Sequence, residues 1–141
     1  FLTFIKRKKW RFAALLILIA FALMTLAEIY GKSVVHHPAP PFFLLKNPTS
    51  IFPKYYIWED FSYPSGHAAR AMFLATLLFF TMKKSTWATL SLVLFVVLIS
   101  ISRIYLGHHW LSDVIGGLML GSGSALLTQA ILLSYNTKRN E

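Results

Sequence analysis

The sequence predicts an all-α protein, a polytopic membrane helical bundle with four transmembrane helices in one unit covering residues 1–141. Three observations carry that expectation. The chain is 56% hydrophobic and only 13% charged, against about 25% charged in an ordinary soluble domain. Four apolar stretches, at 12–30, 65–82, 87–102 and 111–133, approach or reach the roughly 20 helical residues that cross a hydrocarbon core. None alternates with the two-residue period of a strand. Finally, the charges lie between these stretches. A net charge of +9 would elsewhere suggest nucleic acid; distributed in this way it implies a lipid bilayer, and no nucleic-acid partner is expected. The chain has no cysteine, which excludes a disulfide framework, a thiolate nucleophile and a cysteine-based zinc site.

The first stretch follows Lys6, Arg7, Lys8, Lys9 and Arg11, as a signal peptide core would. Its apolar run is longer than such a core, and no small-residue cleavage site precedes Lys32, so it reads as a retained span. The segment 31–64 holds Pro38, Pro40, Pro41, Pro48 and Pro53, which rules out a single helix. It reads as a long outer loop, a kind of segment that usually carries function. Phe42-Phe43-Leu44-Leu45 and Ile51-Phe52 are apolar enough to lie among lipid headgroups. The second stretch reaches span length only if its polar start, Ser65, His67 and Arg70, is helical. The third is the shortest and is bounded by Arg103. The fourth carries Gly117, Gly121 and Ala125 at intervals of four, a spacing that lets another helix approach closely. Trp10, Trp58, Trp87 and Trp110 all fall near span ends, as interfacial tryptophans do.

With four spans, nine of the fourteen Lys and Arg residues fall on one side of the membrane. The positive-inside rule makes that side cytoplasmic and places both termini there. All five histidines fall on the other side, with Glu28, Glu59, Asp60 and Asp113. Such segregation implies a site facing outward.

Two short stretches carry the chemistry. In Tyr63-Pro64-Ser65-Gly66-His67 the proline ends a loop and Ser65 suits a helix N-cap. A helix start with free N–H groups, approachable over a glycine, seats an anion, and His67 beside it can exchange a proton near neutral pH. The plainer account is a helix-start signal with an interfacial histidine. In Ser102-Arg103-Ile104-Tyr105-Leu106-Gly107-His108-His109-Trp110-Leu111-Ser112-Asp113, His109 and Asp113 are four apart, so a helix would place them on one face. A carboxylate on one imidazole nitrogen leaves the other as nucleophile or base. Arg103 adds a planar fork suited to phosphate. A loop with charges at its two membrane boundaries is again the plainer account.

Together the two stretches, Pro-Ser-Gly-His and Ser-Arg-x5-His-x3-Asp, resemble the type 2 phosphatidic acid phosphatase superfamily of integral membrane lipid phosphatases. The match holds at Pro64, Ser65, Gly66, His67, Ser102, Arg103, His109 and Asp113, and the resemblance covers roughly residues 28–123. The family's first motif, Lys-x6-Arg-Pro, aligns with Lys32 and Pro40, but Ala39 stands where the family has arginine. That removes a bidentate phosphate donor, for which His37, Lys46, Lys54 and Arg70 are candidate substitutes. The family core usually has six helices, of which this chain would supply the last four.

The resemblance implies metal-independent hydrolysis of a lipid phosphate or diphosphate, with no cofactor. His109 would be the nucleophile that becomes phosphohistidine, Asp113 its orienting partner and His67 the acid and base. Lys32, Ser65, Gly66 and Arg103 would hold the phosphate oxygens. Three rival readings stand beside it: a zinc site built on the histidines, a phosphotransferase using the same phosphohistidine, and a non-catalytic membrane protein of the same fold. Against zinc, His36-His37 and His108-His109 are adjacent pairs, which point apart on a helix.

Overall fold

The computed structural model describes residues 2–41, 44, 61–82 and 85–138, with side chains from residue 10 to residue 137 among them. The expectations for Phe42-Phe43, Ile51-Phe52, Lys46, Lys54, Trp58, Glu59, Asp60, Lys83-Lys84 and Arg139 lie outside the described residues, and the side chains of Lys6 to Lys9 do as well. The described chain is four helices in sequence: α1 (Leu2–Val34), α2 (Gly66–Thr81), α3 (Thr86–Tyr105) and α4 (Leu111–Lys138). Among the described residues the only strand-like pairing is an isolated bridge between Pro38 and Phe61.

Three helices are long and apolar enough to cross a membrane, over Trp10–Val34, Thr86–Tyr105 and Leu111–Thr137. α1 runs beyond residue 30 through Lys32, since nothing before Pro38 breaks it, so the segment that joins it to α2 starts later than position 31. α2 is a shorter apolar helix of 16 residues, about 24 Å long at 1.5 Å per residue. Both of its flanks, Ser65 and Met82, are extended backbone.

α2 is also the centre of the bundle. Gly66, Ala68, Ala69, Ala71, Phe73, Ala75 and Leu77 are buried along it. These residues are mostly small because α4 lies against them. Gly117 packs on the Ser65 carbonyl and Gly121 on the Ala69 carbonyl, where a Cβ at either glycine would overlap backbone. The third member of the stripe, Ala125, is fully buried with Met24 of α1 and Phe73 and Leu77 of α2. Phe21 meets the Phe73 ring edge-on at 5.9 Å. At the far end of the bundle Phe12 stacks on Tyr135, with ring centres 4.1 Å apart. α3 has no buried residue at all. A helix that is apolar all round yet unburied within its own chain is suited to hydrocarbon.

Successive helices alternate in direction. The C-terminal ends of α1 and α3 therefore gather with the N-terminal ends of α2 and α4. A hydrogen bond fixes that gathering, from the Ser65 N–H to the Asp113 carbonyl at 2.9 Å.

Candidate active site

The turn between α3 and α4 sets the position of His109. After Tyr105 the chain closes with two hydrogen bonds, Gly107 N–H to the Ile104 carbonyl and His108 N–H to the Arg103 carbonyl. That pair defines a Schellman turn, whose penultimate residue needs a left-handed backbone, and Gly107 supplies it with φ 72°. The next two residues stay outside any helix. Asp113 then lies in the first turn of α4, and its Oδ2 accepts the Trp110 N–H at 2.8 Å. An acidic side chain reaching back in this way caps the helix start.

His109 and Asp113 therefore meet across a loop and a helix start, and not along one helical face. His109 Nδ1 lies 3.5 Å from Asp113 Oδ2, with the carboxylate fully buried and the imidazole about 10% exposed. A carboxylate held out of water demands partners of opposite charge or hydrogen-bond donors. A second imidazole also approaches: His37 Nδ1 is 3.1 Å from Asp113 Oδ1. This contact is one of proximity, since neither atom has a well-directed hydrogen bond among the described residues.

At the start of α2, Ser65 occupies the N-cap position without making a side-chain capping bond. It has no exposed surface, and its Oγ has no hydrogen-bond partner among the described residues. A buried hydroxyl left in this state keeps its full donor and acceptor capacity. Gly66 follows, and the volume its side chain would fill holds the Glu28 carboxylate. Glu28 is 5% exposed and has a cation at each oxygen. Lys32 Nζ lies 3.4 Å from Oε1, and Arg70 donates from Nη2 to Oε2 at 2.7 Å. Glycine at 66 thus accommodates a carboxylate of the protein itself, an occupant other than the anion its spacing suggested.

His67 is exposed, with Arg103, Arg70, His108 and Lys32 close enough to act on it electrostatically. His108, in the loop, is held below the usual histidine value by partial burial first and by the Arg103 guanidinium second. Lys32 and Arg103 thus bring positive charge to the surroundings of His67, the residue after Gly66. Of the substitutes for the missing arginine, Arg70 is engaged with Glu28, His37 is turned to Asp113, and Lys46 and Lys54 lie outside the described residues. No three His, Cys, Asp or Glu side chains among the described residues are grouped as a metal ion would need.

Sequence reasoning named Glu28, His37, Arg70 and Trp110 but not the contacts they make here. The Glu28 pairing with Lys32 had a signal, since an acid four residues before a base on a helix pairs well. Its second partner, Arg70, had none. Neither did His37 or the Trp110 indole, whose Nε1–H donates to the Pro38 carbonyl at 2.9 Å. These contacts join segments far apart in the chain.

The PAP2 superfamily family model matches residues 2–137. Undecaprenyl-diphosphatase of Sulfolobus acidocaldarius is 35% identical over 125 residues, which are 88% of this chain and 57% of that protein. Phosphatidylglycerophosphatase B of Bacillus subtilis is 32% identical over 126 residues, 84% of this chain and 56% of its own. The bacitracin transport permease protein BcrC of Bacillus licheniformis is 35% identical over 114 residues, 79% of this chain and 53% of its own. The chain thus spans little more than half the length of these curated relatives. No solved structure matches it significantly. On a family model matched almost from end to end, and on relatives about a third identical over the aligned residues, the chain belongs to the PAP2 superfamily.

Proposed function

We propose that the chain hydrolyses a lipid phosphate or diphosphate at the outer membrane face through a phosphohistidine intermediate. The observation that carries the reading is the buried Asp113 carboxylate, 3.5 Å from His109 Nδ1, on a residue whose carbonyl also holds the start of α2. With Nδ1 facing the carboxylate, Nε2 of His109 is the atom left to attack phosphorus. The new N–P bond forms as the bond to the lipid oxygen breaks, and His67 gives that oxygen a proton. His67 then takes a proton from water, whose oxygen attacks the phosphohistidine. Inorganic phosphate leaves and His109 is regenerated. Lys32, Arg103, the Ser65 hydroxyl and the Gly66 N–H hold the equatorial oxygens, on which negative charge accumulates. The relatives named for undecaprenyl diphosphate and phosphatidylglycerophosphate favour a polyprenyl diphosphate or a phospholipid monophosphate as substrate.

The test is phosphate release by the purified protein from polyprenyl diphosphate, phosphatidylglycerol phosphate and phosphatidic acid, with and without a chelator. Turnover of at least one lipid that survives chelation is the expected result. His109→Ala abolishes it with the fold intact, and Asp113→Asn lowers kcat by roughly a hundredfold or more. A His109→Ala protein that releases phosphate normally would remove the nucleophile and the mechanism with it.

A further inference from the structure

The sequence gives Asp113 one imidazole; the fold gives it two. We propose that His37 is a positioning residue for the nucleophile, holding the Asp113 carboxylate in the rotation that presents Oδ2 to His109. The inference rests on the lipid phosphatase reading above.

The two carboxylate oxygens have different surroundings. Oδ2 accepts the Trp110 N–H at 2.8 Å and faces His109 Nδ1 at 3.5 Å. Oδ1 faces His37 Nδ1 at 3.1 Å, the shorter of the two imidazole distances. A carboxylate can turn about its last torsion, which has a broad two-fold profile. A partner on Oδ1 resists that turn and also compensates a charge that has no water to solvate it. His109 then meets an acceptor of fixed direction, as an imidazole nucleophile requires for its tautomer to be set.

His37 is itself held in place. Its carbonyl accepts the Ser62 N–H at 3.0 Å, and the following Pro38 bridges to Phe61. The Pro38 carbonyl takes the Trp110 indole N–H at 2.9 Å. Trp110 is the residue next to His109, so its indole ties the loop carrying His37 to the turn carrying His109. On the other side, the His37 ring lies 6.3 Å from the Tyr63 ring, next to Pro64 and Ser65. These contacts join the segment after Lys32 to both of the other motifs. They also assign His37 a task different from replacing the absent arginine at position 39, since its Nδ1 is turned to a carboxylate and not to a phosphate seat.

The experiment compares wild type, His37→Ala, His37→Asn and His109→Ala in the purified full chain, with farnesyl diphosphate and dioctanoyl phosphatidic acid as probes. His37→Ala should lower kcat roughly tenfold to a hundredfold, the scale of a slightly misplaced reacting group. Its KM should change by less than about threefold, because the lost contact is not made to substrate. His37→Asn places an amide nitrogen near the position of Nδ1 and should recover most of kcat. Acid-quenched single turnovers should leave the phosphoryl group on His109 in wild type and in His37→Asn. An unchanged kcat in His37→Ala overturns the proposal. So does a rise in KM alone, which would make His37 a substrate contact, and so does phosphoryl found on residue 37. If His37→Ala fails to fold, His37→Asn decides: activity near wild type supports the role of the donor, and activity lost from a folded protein overturns it. Normal His37→Ala activity beside an inactive His109→Ala defeats only this inference. An active His109→Ala defeats the phosphatase reading beneath it.

Discussion

Gly66 lies with its α-carbon against the Glu28 carboxylate, which is shared between Lys32 and Arg70. A methyl group at position 66 would have to displace that carboxylate and pull it from both cations. Gly66→Ala should therefore destabilise the protein by about 1–3 kcal/mol, the usual scale of overpacking. A lowered Tm in detergent is the measurement, and an unchanged Tm would mean that the carboxylate moves aside freely. The residue types of the site were legible in the sequence: an imidazole with a carboxylate, a second imidazole, cations and a helix start. Their neighbours were less so. Glu28 reaches Lys32 within one helix, but it meets Arg70 across 42 positions. His37 lies in a proline-rich loop whose path no periodicity reveals. Contacts of this kind depend on tertiary folding, which local pattern does not encode.

α2 and α4 illustrate how the helices were read. The small residues of α4 at intervals of four signalled a close neighbour, and the structure supplies α2, with Gly121 on the Ala69 carbonyl. Gly123, two positions on, has nothing within 4 Å of where its Cβ would lie. The two glycines should respond oppositely to alanine. Gly121→Ala forces backbones apart and should cost about 1–3 kcal/mol. Gly123→Ala should be neutral or stabilising by up to about 1 kcal/mol, from helix propensity alone. Thermal or denaturant unfolding of the pair checks this, and equal losses would refute the packing. The helix ends were read less well. α1 passes the expected boundary because the first helix-breaking proline comes at Pro38, and α2 is shorter because extended backbone flanks it at Ser65 and Met82. α4 starts at Leu111 as expected, and the Schellman turn at Gly107 keeps His109 in the loop before it, off the helical face that carries Asp113. Apolar periodicity marks the middle of a helix and says little about its last turn.

For the whole molecule, alternation of four helices puts Lys32, Ser65, Arg103 and Asp113 at one end and the α2–α3 link at the other. The positive-inside rule leads us to expect the latter end on the cytoplasmic side. Because the chain lacks cysteine, single cysteines report without background. A cysteine replacing Ser50, in the segment between α1 and α2, should react with a membrane-impermeant thiol reagent in intact cells. One replacing Ser85, just before α3, should react only after the membrane is opened. The opposite pattern would turn the site toward the cytoplasm and exclude a lipid pool on the outer leaflet. The broad apolar exterior, with α3 unburied along its whole length, agrees with immersion in hydrocarbon at this scale.

The Ser65–Asp113 hydrogen bond also gives the site a clock. The Ser65 amide is on a residue with no exposed surface and donates to a carbonyl of another helix. Its proton can exchange with deuterium only when α2 and α4 part or the protein unfolds. Its exchange rate therefore measures how often the start of α2 and the His109 turn come apart. If that rate matches global unfolding, the two motifs move as one body in the native protein. If it is faster, the two motifs separate in the native protein.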